Sequence, residues 1–361
     1  MRVLAAAGAT GGHIFPAISF LDILKERYNA ETLLILPEKS IIKDKEGFAY
    51  NAVYVPVYPV QLRLDRKNIF AIAKFFHGSL KSLFILLKFR PEIVVGFGSL
   101  ACVPVVIFAW FFRIAVIIHE QNVIPGEANR FLSWFADKVA VSFAETKDYF
   151  SGIKQKIVLT GNPLRKEMIR IERSDALDFF GLSEDKFTIL AMGGSAGAHK
   201  LNLEFLKALS ALRQKDKLQV IHLSGNSDYD FLKDSYRKLG INYKLYSFLD
   251  NMQYAYSASD VVLSRAGAGT ISEIIYFGLP AILLPYPYAY KHQLNNARVL
   301  EKINSAVIIE DQDLDAYKLG ETIGDFINNP DKARMMRLAY AGILTSNAAG
   351  LLADEAAALL K

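Results

Sequence analysis

A strand, a glycine loop and a helix follow one another at two places in this chain of 361 residues, about 185 residues apart. The first unit combines the apolar run Val3–Ala7, the loop Gly8–Gly12 and a helical pattern that begins at His13. The second combines Phe187–Met192, the loop Gly193–Gly197 and a further helix. Glycines at this junction let the backbone approach a phosphate, and the helix N-terminus offers unpaired N–H groups. The repeat predicts two nucleotide-binding α/β domains, although a tight turn without a ligand would also explain each loop.

Both halves continue with alternating strand and helix signals. The further strands are nearly continuous runs of Val, Ile and Leu, which suit strands buried on both faces of a parallel sheet. Such alternation is typical of doubly wound sheets. We therefore expect an α/β fold of two Rossmann-like domains, with parallel sheets that face a central cleft. The further strands include Ile93–Val95, Val139–Val141, Gln219–Leu223, Val261–Leu263 and Ala281–Leu284.

The domain boundary is predicted within Thr160–Pro163, because Gly161 supplies a flexible joint and Pro163 extends the residue before it. An Ala- and Leu-rich helix at about Ala348–Leu360 is expected to cross back onto the first domain. Two similar domains joined at one hinge imply a ligand cleft between them. The two predicted domains are residues 1–162 together with about 342–361, and residues 163–341.

The composition and the apolar runs of the chain exclude several classes of protein. Cys102 is the only cysteine, which excludes an intramolecular disulfide and a cysteine-based zinc site and fits a reducing compartment. A hydrophobic fraction of 52% excludes intrinsic disorder. The start of the chain runs straight into a glycine loop, unlike a signal peptide. The most membrane-like window holds an apolar run of 13 residues, Leu100–Phe112, which predicts a buried helix before the strand Ile114–Ile118 rather than a membrane span.

Positive charge is concentrated in residues 61–90. The net charge of the chain is +5, and this segment holds seven Lys or Arg against the single acid Asp65. Within Asn68–Arg90, apolar residues recur at three- and four-residue steps with lysines between them. The pattern predicts a helix on an anionic membrane surface and no nucleic-acid partner; a core helix with a solvated lysine edge is the alternative. The apolar positions are Ile69, Ile72, Phe76, Leu80, Leu83 and Leu87, and the basic ones are Lys74, Lys81, Lys88 and Arg90.

Three motifs of the first half carry candidate chemistry. His13 would lie in the first turn of a helix, whose positive end disfavours imidazolium and leaves a neutral ring that accepts a proton. A capping or packing histidine is the alternative. Gly96–Ser99 follows a strand and forms either a second anion cradle or only a turn. His119–Asn122 follows the strand Ile114–Ile118, so its polar side chains are expected to face the ligand crevice, without the spacing of a zinc site.

The second half adds groups that suit a nucleotide sugar. Ser195 lies in the second glycine loop, where its hydroxyl fits a phosphate oxygen, and Arg165 adds a charge-assisted contact unless it is a solvated surface arginine. Ser264–Glu273 predicts a strand, a small-residue loop and a helix that begins near Thr270. Glu273 then either closes a capping box with Thr270 or accepts both hydroxyls of a ribose. The polar cluster after the next strand, which is placed to meet a sugar, comprises Lys291, His292, Gln293, Asn295 and Asn296.

Taken together, these motifs resemble the MurG family, the N-acetylglucosaminyltransferases of bacterial peptidoglycan synthesis. The resemblance implies a GT-B fold, UDP-GlcNAc as donor and lipid I, undecaprenyl-diphospho-MurNAc-pentapeptide, as acceptor. The product would be lipid II, with a new β-1,4 bond formed with inversion. The matching segments occur in family order over nearly the whole chain: Gly8–Pro16, Gly96–Gly98, His119–Asn122 with Pro125 and Gly126, Gly161–Arg165, Gly193–Ala198, Ser264–Glu273 and His292–Asn296.

The resemblance also implies roles for individual residues. Glu273 would hold the ribose and the Leu249 region the uracil, while Gln293 and Asn296 would contact the GlcNAc hydroxyls. The donor diphosphate would be held by Ser195, Arg165 and the backbone amides of Ala268, Gly269 and Thr270. The first domain would close on the donor through Thr10, Gly11, Gly12 and Asn122. The acceptor diphosphate would lie on Gly11, Gly12, His13, Gly96, Gly98 and Ser99, with His13 as the base for the muramyl 4-hydroxyl.

No metal and no tightly bound cofactor are implied. Inversion needs one in-line displacement and one base, and a helix N-terminus stabilises the leaving UDP. An enzyme with these substrates would work as a peripheral protein on the cytoplasmic face of the bacterial inner membrane. The resemblance further implies partners among cell-wall synthesis and division proteins.

Two departures from the family pattern limit the transfer of roles. Ala9 stands where the first loop usually has glycine. Ser99 and Leu100 stand in a loop that commonly reads Gly-Phe-Gly-Gly-Tyr, so no role of that tyrosine can be transferred to Leu100.

Two other classes of function also stay open. One is a UDP-GlcNAc 2-epimerase, or a lipid glycosyltransferase with another acceptor. Another is a non-catalytic nucleotide-binding or NAD-dependent protein, although the first loop lacks the dinucleotide spacing.

Overall fold

The computed structural model describes residues 1–43, 50–57, 66–194, 197–288, 292–343 and 347–360, and only the backbone of residues 66–69. The chain divides into two compact units, residues 1–165 with 346–361, and residues 166–345. The division lies three residues beyond the predicted boundary after residue 162.

The first unit is built on a seven-stranded sheet in which every pair of neighbouring strands is parallel. Its strands are β1 (Arg2–Ala6), β2 (Glu31–Pro37), β3 (Ala52–Val55), β4 (Ile93–Gly96), β5 (Ala115–Glu120), β6 (Lys138–Val141) and β7 (Ile157–Leu159). They lie in the order β3-β2-β1-β4-β5-β6-β7, so the order reverses between β1 and β4. The helices between them are α1 (Gly11–Tyr28), α2 (Arg66–Phe89), α3 (Cys102–Phe111) and α4 (Glu127–Leu132).

The second unit repeats this plan with six parallel strands. The strands are β8 (Phe187–Met192), β9 (Leu218–Leu223), β10 (Asn242–Tyr246), β11 (Val261–Ser264), β12 (Ala281–Leu283) and β13 (Ala306–Ile308). Their order is β10-β9-β8-β11-β12-β13, so the reversal falls between β8 and β11. The helices are α5 (Arg173–Phe180), α6 (His199–Ala211), α7 (Tyr229–Leu239), α8 (Met252–Ala258), α9 (Ala268–Phe277), α10 (His292–Lys302), α11 (Ala316–Asn328) and α12 (Pro330–Leu338). The predicted α/β class with two parallel, Rossmann-like sheets is confirmed.

The C-terminal helix α13 (Ala348–Ala358) packs within the first unit. Leu352, Ala353 and Ala356 are fully buried in the core on the α1 face of the first sheet. At the edge of this contact, the Tyr28 hydroxyl donates a 2.8 Å hydrogen bond to Asp354. Apolar burial of one helix face therefore fixes the end of the chain on its first unit.

Gly161, the predicted joint, lies inside the first unit and is hydrogen-bonded there. Its backbone is left-handed, with φ of +78°, and its N–H donates to the Val141 carbonyl at 3.2 Å. Its carbonyl accepts a 3.0 Å hydrogen bond from His119 Nε2. Burial lowers the pKa of His119 to about 4, so the neutral ring makes this bond.

Helix α2 buries one face, where Ile85 and Leu86 lie in the core, and exposes large apolar side chains on the other. Gly78 is buried close to β3, where an added Cβ would lie 3.0 Å from Val57 Cγ2. Phe76, Leu80 and Phe84 are about two-thirds exposed, at 66%, 67% and 66%. The helix therefore packs on the core with one face, as the core-helix alternative expects, but large apolar side chains as well as lysines lie in solvent.

The exposure of the most apolar helices also differs from what the sequence predicts. The predicted buried helix, α3, has a buried side but ends in the exposed side chains Trp110, Phe111 and Phe112. Of the described helices, the Phe70–Phe89 part of α2 is long and apolar enough to cross a membrane by length and composition alone, a test that core helices also pass.

Candidate functional site

Loops rich in glycine or other small residues follow the strands at which each sheet reverses its order. In the first sheet, Ala6 of β1 lies opposite Gly96 of β4, so the loops after these strands leave the sheet side by side. In the second, Met192 of β8 lies opposite Ser264 of β11. Ligands of open α/β sheets bind in the crevice at such reversal points. Each unit therefore presents one candidate ligand site of its own.

His13 lies where the two loops of the first unit meet. Helix α1 begins at Gly11, two residues earlier than predicted, so His13 is its third residue. A Cβ on Gly8 would lie 2.8 Å from His13 Nδ1, and one on Gly98 would lie 3.3 Å from Nε2. Thr10 Oγ1 is 3.0 Å from Nδ1. The two glycines thus make room for the ring, and Thr10 holds one of its nitrogens.

The imidazole of His13 is neutral at physiological pH. The ring is half-buried, and this desolvation lowers the pKa of His13 to about 4. When Nδ1–H donates to Thr10 Oγ1, Nε2 carries the lone pair that can accept a proton. The predicted neutral ring is therefore present, with burial as its cause.

Ser99 and Ala9 differ in how they fit the family loops. Ser99 has a left-handed backbone with φ of +80°, a conformation that glycine adopts freely and that costs L residues about 1 kcal/mol. This explains why glycine suits that position. The backbone of Ala9 does not have a positive φ, so the Cβ of this alanine does not strain the first loop.

The polar run His119–Asn122, which begins in the last two residues of β5, supports a loop instead of facing a ligand crevice. His119, Glu120 and Gln121 are each at most 2% exposed, which corrects the sequence-based expectation. Glu120 accepts the backbone N–H groups of Asn122 and Gly126 at 2.9 and 3.1 Å and so shapes the following turn, while burial raises its pKa. Asn122 is half-buried, and its contact with the donor stays a prediction.

In the second unit, the loop after β8 is a tight glycine turn. Gly194 and Gly197 have φ of +88° and +76°, and a Cβ on Gly197 would lie 2.7 Å from the Ser224 carbonyl oxygen. A Cβ on Gly193 would collide with the backbone of Ala198. Ser195 lies outside the described residues, so its phosphate contact stays a prediction.

The loop after β11 leads into an uncapped helix. Helix α9 begins at Ala268, and its N-cap residue, Gly267, is extended and provides no side-chain cap. Within the described residues, the N–H groups of Ala268, Gly269 and Thr270 have no hydrogen-bond partner. Unpaired backbone N–H groups at the N-terminus of a helix can bind an anion. Because Thr270 is inside the first turn and is not the cap, the capping-box interpretation of Glu273 is wrong.

Glu273 is instead paired with a buried tyrosine. Its Oε2 accepts a 2.7 Å hydrogen bond from the hydroxyl of Tyr256, which is fully buried in α8. The sequence did not reveal Tyr256, because the contact joins two helices separated by a strand. Leu249 is half-buried just before α8, and its contact with uracil stays a prediction.

Gln293 and Asn296 tie the neighbouring loops together. Gln293 Oε1 accepts the backbone N–H groups of Ala266 and Tyr286 at 3.1 and 2.9 Å, whereas its Nε2 makes no hydrogen bond within the described part of the chain. Asn296 is fully buried and donates to the Ala266 carbonyl at 3.2 Å. Asn296 therefore supports the loop from inside, which does not fit the predicted direct contact with sugar hydroxyls.

Arg165 is the last residue of the first unit, not a residue beyond the joint. Its guanidinium carbon lies 5.1 Å from the centre of the Phe15 ring, a cation–π distance.

Another predicted site residue, Lys291, lies outside the described residues. Among the residues that are described, no three His, Cys, Asp or Glu side chains cluster as metal ligands.

Comparison with known proteins identifies both units. Residues 3–141 match the glycosyltransferase family 28 N-terminal domain and residues 188–349 match the glycosyltransferase family 28 C-terminal domain. A protein of Caldanaerobacter subterraneus subsp. tengcongensis, named UDP-N-acetylglucosamine–N-acetylmuramyl-(pentapeptide) pyrophosphoryl-undecaprenol N-acetylglucosamine transferase, is 39% identical over 93% of this chain and 94% of its own.

Solved structures show the same fold. The crystal structure of Acinetobacter baumannii MurG matches with a TM-score of 0.76 at 23% identity, over 98% of both chains. A UDP-GlcNAc 2-epimerase from Neisseria meningitidis, bound to UDP-GlcNAc, matches with a TM-score of 0.67 at 16% identity, over 100% of this chain and 99% of its own. At these identities the likeness concerns the fold, so the fold alone does not separate a transferase from an epimerase.

Proposed function

Because the chain belongs to the MurG family of glycosyltransferases, we propose that it transfers GlcNAc from UDP-GlcNAc to the 4-hydroxyl of MurNAc in lipid I, with inversion, to give lipid II for peptidoglycan synthesis. The observation that carries the proposal is the 39% identity, over 93% of this chain, to a relative that is named as this N-acetylglucosamine transferase. Roles in cell shape and division follow from a supply of lipid II.

The second unit offers the groups that a UDP-sugar needs. The N–H groups at the start of α9, which have no partner in the part of the chain that the structure describes, suit the diphosphate, because an uncapped helix N-terminus attracts anions. Glu273, five residues into the same helix, suits the ribose hydroxyls, and Gln293 Nε2 suits a sugar hydroxyl. We expect Leu249 to contact the uracil, Ser195 to add a phosphate contact, and Arg165 of the first unit to add another.

The first unit offers the base for the acceptor. The loops around His13 present backbone at Gly11, Gly12 and Gly98, with Gly96 and Ser99 beside them, and these suit the acceptor diphosphate. The muramyl 4-oxygen then forms a bond to C1 of GlcNAc as the bond from C1 to the UDP oxygen breaks. His13 Nε2 takes the hydroxyl proton, and Thr10 holds the opposite ring nitrogen. The α9 N-terminus stabilises the charge on the departing UDP, so we expect no resident metal or cofactor.

A membrane contact through α2 fits the location of lipid I. The exposed Phe76, Leu80 and Phe84 would enter the apolar boundary of the bilayer, and lysines that recur every seven residues lie on one side of the helix. Further exposed apolar side chains lie on α2, α3 and near α4: Leu87, Trp110, Phe111, Phe112, Phe131 and Trp134. We therefore propose peripheral attachment to the cytoplasmic face of the bacterial inner membrane. Contacts with cell-wall synthesis and division proteins rest on the family resemblance alone.

The test is transfer of labelled GlcNAc from UDP-GlcNAc to a lipid I analogue by the purified protein. We expect label in the lipid product only when both substrates are present. Conversion of UDP-GlcNAc to its 2-epimer without an acceptor would instead identify an epimerase. Failure of transfer to lipid I, with transfer to another lipid, would assign a different acceptor.

A further inference from the structure

Tyr256 is a buried residue of the second unit to which the proposed reaction gives no role. Its ring stacks on Phe277 of α9, with ring centroids 5.0 Å apart and planes inclined by 14°. Its hydroxyl donates the 2.7 Å hydrogen bond to Glu273 Oε2, and Met192 Sδ lies 3.8 Å from the same hydroxyl. Helix α8 is thus joined to the carboxylate of α9.

Fixing a glutamate side chain costs conformational entropy, because its rotamer freedom is lost. The ring of Tyr256 is already immobile, because it is fully buried and stacked. Its hydroxyl can therefore orient the carboxylate before a ligand arrives, so that less entropy is lost on binding. A carboxylate has about four acceptor positions, so a bond to Tyr256 leaves capacity for the hydroxyls of a ribose.

We propose that Tyr256 is a positioning residue that holds the Glu273 carboxylate in the orientation that accepts the ribose hydroxyls of a uridine nucleotide. The inference rests on the donor role proposed for Glu273. It adds that α8, which begins three residues after Leu249, links the base contact to the ribose contact. The uridine site is then formed before the donor binds.

The experiment measures calorimetric affinities of UDP and of 2′,3′-dideoxy-UDP for the full chain and for Tyr256→Phe, which keeps the ring stack. We expect Tyr256→Phe to weaken UDP binding about tenfold, because the Glu273 side chain must then be ordered when the nucleotide binds, and to leave dideoxy-UDP binding unchanged. The ratio of UDP affinity to dideoxy-UDP affinity, which measures the preference for the ribose hydroxyls, therefore falls. This ratio of affinities does not depend on the fraction of protein that is folded.

The matched control is Tyr254→Phe on the same helix. Tyr254 stacks on Phe179 at 4.2 Å, and its hydroxyl has no hydrogen bond within the described residues. We expect it to bind both nucleotides as the unaltered protein does. In the transfer assay, Tyr256→Phe should raise the KM for UDP-GlcNAc and leave kcat at saturating donor unchanged.

The outcomes separate this inference from the donor role itself. If Glu273→Gln weakens UDP binding but Tyr256→Phe does not, the positioning role is overturned and the donor role of Glu273 stands. If Tyr256→Phe weakens UDP and dideoxy-UDP equally, Tyr256 is only structural, which also overturns the inference. If Glu273→Gln leaves UDP affinity unchanged, the donor role fails and the inference fails with it.

Discussion

His13 shows how single residues prepare the proposed chemistry. Gly8 and Gly98 leave space on two sides of its ring, and burial there lowers the pKa of the imidazole to about 4. A base with so low a pKa is neutral at pH 7 but is a weak proton acceptor. A nearby negative charge favours imidazolium, so the acceptor diphosphate would raise the pKa of His13 toward the working pH. The base would then become effective only when the acceptor is bound.

Replacement of His13 tests this role. We expect His13→Ala to lower kcat by roughly 10²–10⁴-fold, because the 4-hydroxyl loses its general base. Calorimetric UDP affinity should change little, since Glu273, Gln293 and the α9 N-terminus lie in the other unit. A variant with unaltered kcat would end the base hypothesis, and a raised acceptor KM at unaltered kcat would indicate that His13 only positions the diphosphate.

A pair of glycine substitutions tests the space around the ring. A Cβ at Gly8 would lie 2.7 Å from Ser99 Cβ and 2.8 Å from His13 Nδ1, whereas one at Gly12 would meet nothing within 4 Å. We therefore expect Gly8→Ala to lower both the melting temperature and kcat, as overpacking typically costs about 1–3 kcal/mol. Gly12→Ala should melt at or above the unaltered temperature, because alanine favours a helix. Equal melting temperatures for the two variants would show that the ring has room to move.

At the scale of helices and strands, the sequence pattern predicts that an element exists more reliably than it predicts which face of that element is buried. Runs of Val, Ile and Leu correctly predicted the strands at the two reversal points. In α2, the apolar residues divide between two faces: Ile85 and Leu86 are buried in the core, whereas Phe76, Leu80 and Phe84 are exposed. The start of α9 was missed because Ala268 and Gly269 resemble loop sequence. His119 was taken for a ligand contact because its partner, Gly161, is 42 residues away in sequence.

The lysines of α2 provide the test at this scale. We expect binding to anionic vesicles that weakens with salt, and we expect Lys74→Glu, Lys81→Glu and Lys88→Glu together to reduce it, since each basic residue contributes about 1 kcal/mol near such a surface. Vesicle co-sedimentation measures binding, and a thermal melt verifies folding. The matched control changes the exposed Lys217, Lys233 and Lys238 to Glu, with the same charge difference. Undiminished binding by the folded α2 variant would rule out this surface.

At the scale of the whole molecule, each unit contains a buried histidine that is neutral in the folded state. His119 belongs to the first unit, and burial lowers the pKa of His222 in the second unit to about 3. His222 lies between Tyr236, 2.9 Å from Nδ1, and Asn202, 3.0 Å from Nε2. A depressed histidine pKa gives a stabilisation that is complete above the unfolded value of 6.5 and is lost as pH falls toward the folded value.

Denaturation against pH tests this linkage. Between pH 6.5 and 4, the unfolded chain binds a proton at His222 that the folded chain does not, so the free energy of unfolding should fall by up to about 1.4 kcal/mol per pH unit from this group. His222→Gln keeps a donor amide for Asn202 and removes the titration. We expect its urea-denaturation free energy to depend less steeply on pH. An equal slope in both proteins would contradict a neutral, buried His222.

The most direct measurement of the central claim is the NMR structure of the sugar linkage in the enzymatic product. We predict that the protein, given UDP-GlcNAc and a lipid I analogue, forms GlcNAc in β linkage to O4 of MurNAc, as one in-line displacement with His13 as base requires. An α linkage, attachment at another hydroxyl, or release of a 2-epimerised nucleotide sugar without an acceptor would contradict it.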